Sequence, residues 1–278
     1  VERSRGLGDV YKRQGNMCCG FYQPSQDLAN AFQTSNGLPL LDTYNQSDIA
    51  NDAGINSDEP FTPHTGPLDP RIDFTIGRRG IEYNGYGPFT GKENIRASFS
   101  DISGPYAAKK SMYYAGDDTN KGTGGWGQQR SGINYHIIRY ADVLLMAAEA
   151  AVESGSLETA RGYVNQVRQR AIDGPRADSS PNYSISTYGS AWTDQAVARK
   201  AVRFERRLEL GMEGGRLFDL RRWNVMEATL NAYISNEGRT IPTFQSRAAS
   251  VQSKHNALPI PTEAIDNSQG ALTQNPGY

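Results

Sequence analysis

Residues 139–146, Arg139-Tyr140-Ala141-Asp142-Val143-Leu144-Leu145-Met146, open an alanine-rich run, and Glu205-Arg206-Arg207-Leu208-Glu209-Leu210 leads into Asp219-Leu220-Arg221-Arg222-Trp223. The order reads as paired helices held by charge. Ile137, Ala141, Leu144, Ala148 and Ala151 recur at spacings of four and three, one apolar stripe of a helix beginning near Asn134. Gly155 can take the left-handed conformation that ends it, and Ser156 can cap the next helix, with Glu158 at that helix's positive end. Leu157, Ala160, Val164, Val167 and Ala171 form a second stripe. The two helices are expected to lie antiparallel across a very short turn, with Ala160 and Gly162 permitting close axes, like one tetratricopeptide-type unit.

A third helix is predicted from Thr193 to Met212, with Val197, Ala201, Phe204 and Leu208 facing the core. Glu205, Glu209 and Glu213 then share one face, where carboxylates at four-residue spacing repel unless cations sit between them. The expected answer is an ion-paired seam of Arg139, Glu205, Glu209, Glu213, Arg216, Asp219 and Arg222. Gly211, Gly214 and Gly215 break the helical pattern, so Arg216 to Trp223 is read as a separate short helix that returns Arg216 and Asp219 towards the seam. Trp192 and Trp223 are assigned to packing, Trp223 with a cation–π contact to an arginine.

Residues 21–132 lack sustained helical periodicity except from Ser25 to Gln33, where Leu28, Ala29 and Phe32 share a face behind a Ser25 cap. Asn36-Gly37 and Asn84-Gly85 signal tight turns, and Pro60, Pro63, Pro67 and Pro70 confine the backbone to extended or turn conformations. Short strands are predicted around Ile72 to Ile76 and Tyr106 to Tyr113. The fold class is thus mainly α, helix pairs joined to a loop-rich, short-strand-containing first half. Residues 1–20 are set aside as a non-native or disordered leader, because Leu7 to Gln14 resembles the translated end of a sequencing adapter.

With 29 basic and 30 acidic residues among 278, the net charge of -1 supplies no field that would gather nucleic acid or an anionic membrane. The two cysteines, Cys18 and Cys19, are adjacent and neither bridge distant segments nor make a tetrahedral metal site. No apolar run of about 18 residues is present to span a bilayer. His64, His136 and His255 lack ligand spacing, and the Asp48 to Asp58 loop has calcium-loop composition without its alternate spacing. No metal or cofactor is expected. Glu205 and Glu209 as a glycosidase pair are disfavoured, since arginines around them depress a carboxyl pKa that a general acid needs raised. No phosphate loop, dinucleotide fingerprint or nucleophile elbow occurs.

The chain resembles the SusD/RagB family of nutrient-uptake lipoproteins of the Gram-negative outer membrane. The resemblance rests on Leu68-Asp69-Pro70-Arg71, Gly104-Pro105-Tyr106 to Lys110, Arg139 to Ala150, Asn165 to Arg168, Glu205 to Leu210 and Glu213-Gly214 to Arg216. It continues through Asp219 to Trp223, Pro259-Ile260-Pro261 and the terminal Gln274-Asn275-Pro276-Gly277-Tyr278. It covers 21–278, which is similar to the C-terminal part of a longer family member. In that reading 21–132 is the loop-rich ligand-facing part and 133–278 the helical scaffold.

The resemblance implies a non-enzymatic protein exposed at the cell surface on the outer membrane. It would capture an oligo- or polysaccharide and pass it to a SusC-type TonB-dependent barrel, touching the membrane only through a lipid anchor that this sequence lacks. Family binding residues vary with the ligand, so candidates come from the residues alone. Sugar faces stack on aromatic rings while their hydroxyls need polar partners at the rim. Tyr83, Asn84, Tyr86, Phe89, Tyr113, Tyr114, Trp126 and Gln128 offer both types within loops. One of the adjacent Tyr113 and Tyr114 is expected to point inward. The alternatives are a helical scaffold that binds the transporter or another protein without touching nutrient, and an oligopeptide-binding homologue.

Overall fold

Ser25 starts the first helix, α1 (Gln26–Ala31), by accepting the Leu28 N–H on its Oγ at 3.0 Å. Polar side chains buried on α1 then fold the following loop onto it. Asn30 Oδ1 accepts the Ile49 N–H at 3.0 Å, and Asn30 Nδ2 donates to Asp48 at 2.7 Å. The structure, a computed structural model, describes residues 22–91, 95, 104–117, 119–120, 133–241, 244 and 248–278.

Asn36 and Gly37, at φ 49° and 77°, make the two-residue turn between β1 (Thr34–Ser35) and β2 (Leu38–Pro39), pairing Thr34 with Pro39. Residues 72–76 depart from the predicted strand. They form α2 (Ile72–Thr75) running into β3 (Ile76–Gly77), which pairs antiparallel with β4 (Ala107–Ala108). The cause is local: Asp69 Oδ1 accepts the Arg71 N–H at 3.0 Å and bends the chain into a turn. Ile72 and Ile76, four residues apart, are both fully buried, a helical rather than an alternating spacing. The second predicted strand, Tyr106 to Tyr113, shrinks to β4 because the chain turns at Lys109, whose carbonyl accepts the Met112 N–H.

The helix pair is α3 (Tyr140–Glu153) and α4 (Leu157–Asp173). Gly155 at φ 79° ends α3, with Ser156 N–H reaching the Ala151 carbonyl at 2.8 Å and Gly155 N–H the Val152 carbonyl at 3.1 Å, a Schellman closure. The Ser156 side chain makes no cap bond. Against α3 and α4 packs α5 (Gln195–Glu209), capped by Asp194, whose Oδ1 accepts from Ala196 and Val197. Leu144, Leu145, Ala148 and Val152 meet Ala160, Val164 and Val167, with Ala198 and Val202 closing the cluster. Fully buried Leu145, Val152 and Val164 each contribute on the order of 1.5–3 kcal/mol.

Three expectations about these faces are corrected. Ile137 precedes the helix and is 85% exposed, Gly162 faces open space, and Val197 is exposed while its neighbour Ala198 is buried. α5 is covered on two sides: Ala198 and Val202 face the α3–α4 pair, and Leu208 and Phe204 join Phe32, Ile72 and Tyr106 in a second cluster. A stripe drawn for one buried face misses that rotation.

The chain divides into two compact units, Val1–Gly215, which holds everything above, and Arg216–Tyr278. The second unit contains α6 (Arg216–Arg222), α7 (Met226–Thr240) and α8 (Thr262–Asn267), with Leu220, Trp223 and Met226 as its core. Arg222 lies 4.9 Å and Arg216 5.6 Å from the Trp223 ring. Its end is clamped by Gln274, which donates to the Ile260 carbonyl and accepts the Ile260 N–H, both at 2.8 Å.

Candidate functional site

At the C-terminus of α5 the backbone carbonyl of Glu209 has no helical partner, and the helix dipole makes this end attractive to cations. Arg139 Nη2 and Lys110 Nζ, the latter at 2.8 Å, both donate to that carbonyl. The Glu209 carboxylate accepts from three arginines: Arg139 at 2.6 Å, Arg170 at 2.8 Å and Arg71 at 3.0 Å. Glu213 continues the row with Arg139 at 2.9 Å and Lys110 at 2.6 Å. Behind them, Glu205 is held by Arg71 at 2.7 Å and by the fully buried Arg168 at 2.8 Å. Arg206 pairs with Asp142 at 2.8 Å and ties α5 to the first turn of α3. Arg216, Asp219 and Arg222 lie in the second unit, where Arg222 pairs with Asp219 at 2.8 Å.

Burial works to raise the Glu209 pKa, but Arg71, Arg139 and Arg170 outweigh it and bring it down to about 2. Glu213 is also lowered, with burial opposed by Arg139 and Lys110. Burial lowers Lys110, and Glu213 only partly offsets it. Neither carboxylate retains a proton at neutral pH that it could give to a leaving group.

This row of charges is one wall of an open cleft of about 640 Å³. Phe74, Met112 and Leu208 provide its apolar lining, Lys110, Arg139, Arg170, Glu209 and Glu213 the charged wall, and Tyr114, Asp117, Asn120 and His136 further polar and aromatic groups. Asp117 accepts from Asn120 at 2.9 and 3.0 Å, which fixes that loop locally. The Tyr114 side chain belongs to a residue 55% exposed. Tyr86, 38% exposed, donates its OH to the Tyr114 carbonyl at 3.3 Å, so two accessible rings lie on neighbouring loops.

The structure does not gather the eight loop candidates into one surface. Tyr83, Phe89, Asn84 and Tyr113 are buried, a correction to their expected ligand-facing role. Tyr83 and Phe89 pack with Ile95, Ala107 and Met112, their ring centroids 5.2 Å apart, and the Tyr83 OH donates to the Ala108 carbonyl at 2.7 Å. A Cβ on Gly77 would come within 2.6 Å of the Tyr83 ring, so the glycine makes the space that admits it. Asn84 turns inward from its Asn-Gly turn towards the Tyr113 carbonyl, 3.4 Å from its Nδ2. Of the adjacent tyrosines, Tyr113 points in and Tyr114 out. Trp126 and Gln128 lie outside the described residues.

Lys110, Arg170, Asp117, Asn120 and His136 are neighbours in one cleft without any signal in the sequence that joins them. Only Lys110 stood within a quoted motif, and no local spacing links it to Glu213, 103 positions away.

A sequence profile of the SusD family matches residues 2–278. The SusD-like protein P2 of Formosa agariphila is 30% identical over 179 residues, covering 64% of this chain and 31% of that protein. The SusD-like protein P25 of the same organism is 31% identical over 132 residues, 48% of this chain and 22% of its own length. The aligned region thus spans less than a third of these relatives. A crystal structure of a SusD superfamily protein from Bacteroides vulgatus superposes with a TM-score of 0.56 at 24% identity, over 92% of this chain and 44% of that one. A SusD-like protein from Bacteroides fragilis gives 0.53 at 21% identity, over 92% and 47%. Helix pair, loop-rich first half and arginine-bound glutamates all stand within the matched residues, and the chain belongs to the SusD family.

Proposed function

We propose that this chain binds a nutrient glycan without transforming it and serves, at the outer surface of the outer membrane, to hand that glycan to a TonB-dependent transporter of the SusC type. Membership in the SusD family supports the glycan and the surface location. No helix among the described residues is long and apolar enough to cross a membrane. The observation that carries the reading is Tyr114, an exposed ring on a cleft large enough for several sugar rings. Its face stacks on sugar C–H groups while Asn120, Asp117 and His136 meet hydroxyls. Glu209 and Glu213, ionised and engaged by cations, act as wall rather than as acid and base.

Calorimetric titration of the 278-residue chain with a panel of oligosaccharides tests the reading. Binding by at least one glycan, weakened by Tyr114→Ala, is expected. A folded chain that binds none, or release of new reducing ends from a bound polysaccharide, contradicts it.

A further inference from the structure

The charged groups of the cleft are not equally available. Both Glu209 oxygens and both Glu213 oxygens already accept hydrogen bonds from Arg71, Lys110, Arg139 or Arg170. Both Asp117 oxygens accept from Asn120. The carboxylate of Glu209 is sealed, with its side chain 1% exposed. The cations stand in front of it. Arg170 has a side chain 62% exposed and uses only Nη2 on Glu209; among the described residues its Nε and Nη1 donors have no partner. Lys110 uses two of its three donors, on the Glu209 carbonyl and Glu213. The cleft therefore offers open donors on positive groups, while its Glu209 and Glu213 carboxylates are engaged by cations. A neutral sugar hydroxyl needs both donors and acceptors, whereas an anionic substituent needs donors alone.

Resting on the glycan reading above, we propose that the ligand of this cleft is an acidic oligosaccharide, whose carboxylate or sulfate group docks on the open edge of Arg170 beside Lys110 while a sugar face lies on Tyr114. Arg170 can serve in this role while staying on Glu209, because Arg71 and Arg139 share that carboxylate with its Nη2 and leave its other donors to the cleft. Arg168, two residues earlier on α4, points the other way and is wholly buried against Glu205, so one helix supplies both an anchor and a docking group.

The test titrates the 278-residue chain with three probes: an oligogalacturonide, which carries carboxylates, a sulfated galactan oligosaccharide, and neutral maltohexaose. At least one acidic probe is expected to bind about tenfold or more tightly than the neutral one, and to weaken as sodium chloride is raised. Which acidic probe wins distinguishes carboxylate from sulfate. Arg170→Gln should lower that affinity by about ten- to a hundredfold in a chain that circular dichroism shows still folded. Equal or tighter binding of maltohexaose, or acidic binding indifferent to Arg170→Gln, overturns this inference and leaves the glycan reading standing. A folded chain that binds none of the three overturns this inference, and the wider oligosaccharide panel then decides the glycan reading.

Discussion

Arg71 Nη1 reaches Glu205 Oε1 at 2.7 Å across 134 positions of sequence, and the same nitrogen donates to Glu209 at 3.0 Å. With Asp69 on its other edge at 2.7 Å, this guanidinium joins the loop-rich first half to the last turns of α5. Desolvation disfavours its charge, but Asp69, Glu205 and Glu209 more than compensate and raise its pKa well above the ordinary arginine value. The site's wall and the fold's fastening are one network.

Arg168→Met should be among the most damaging single changes. It leaves Glu205 with a single arginine in a dry interior and strips donors from the carbonyls of Gly37 and Ser186. A loss of about 3–5 kcal/mol is expected in urea unfolding. Arg199→Ala, which breaks an exposed pair with Glu153, should leave the midpoint where it was.

Acid should unfold the protein through Glu209. Its folded pKa of about 2 lies below the ordinary 4.5, so its contribution is complete above pH 4.5 and is lost as pH falls from 4.5 towards 2. That contribution is on the order of 3 kcal/mol. Urea midpoints measured down a pH series should hold steady to about 5 and then fall, and Glu209→Gln should flatten the fall.

Lys109 works in the opposite direction. Burial, only partly offset by Asp73 and Glu82, takes its ammonium from 10.5 to about 8, so the unfolded chain binds the extra proton between those values. Its effect on stability should become more favourable as pH rises from 8 towards 10. The stability difference between the wild type and Lys109→Met, followed over that range, should shift towards the wild type.

Two tyrosines separate packing from binding. Tyr83→Ala should cost about 3–5 kcal/mol by emptying a buried site and orphaning the Ala108 carbonyl. Tyr114→Ala, at an exposed position, should leave the unfolding midpoint nearly unchanged while weakening the glycan titration several-fold, by about 0.5–1.5 kcal/mol. A midpoint that moves for both and a titration that moves for neither would contradict the assignment.

Much of the helical half was legible because its signals are local. Ala141, Leu144, Ala148 and Ala151 are buried at the spacing expected of them, Gly155 closes α3, and the short helix after Gly215 begins at Arg216. The first half was legible in its punctuation, Ser25 and the two Asn-Gly turns, and misleading in its rings. Loop composition placed Tyr83 and Phe89 outside, yet the glycine at position 77 and a carbonyl on β4 draw Tyr83 into a core that no periodicity announces.

By itself the sequence determined the Ser25 cap, the Gly155 closure, the Asn-Gly turns and the charge spacing of α5, since each depends on atoms within about four residues of one another. Tertiary structure decided which rings meet water and which arginines surround Glu209. Those outcomes depend on segments some 40 to 138 positions apart, Arg170 and Arg71 among them, brought together only when three clusters of apolar side chains leave the solvent.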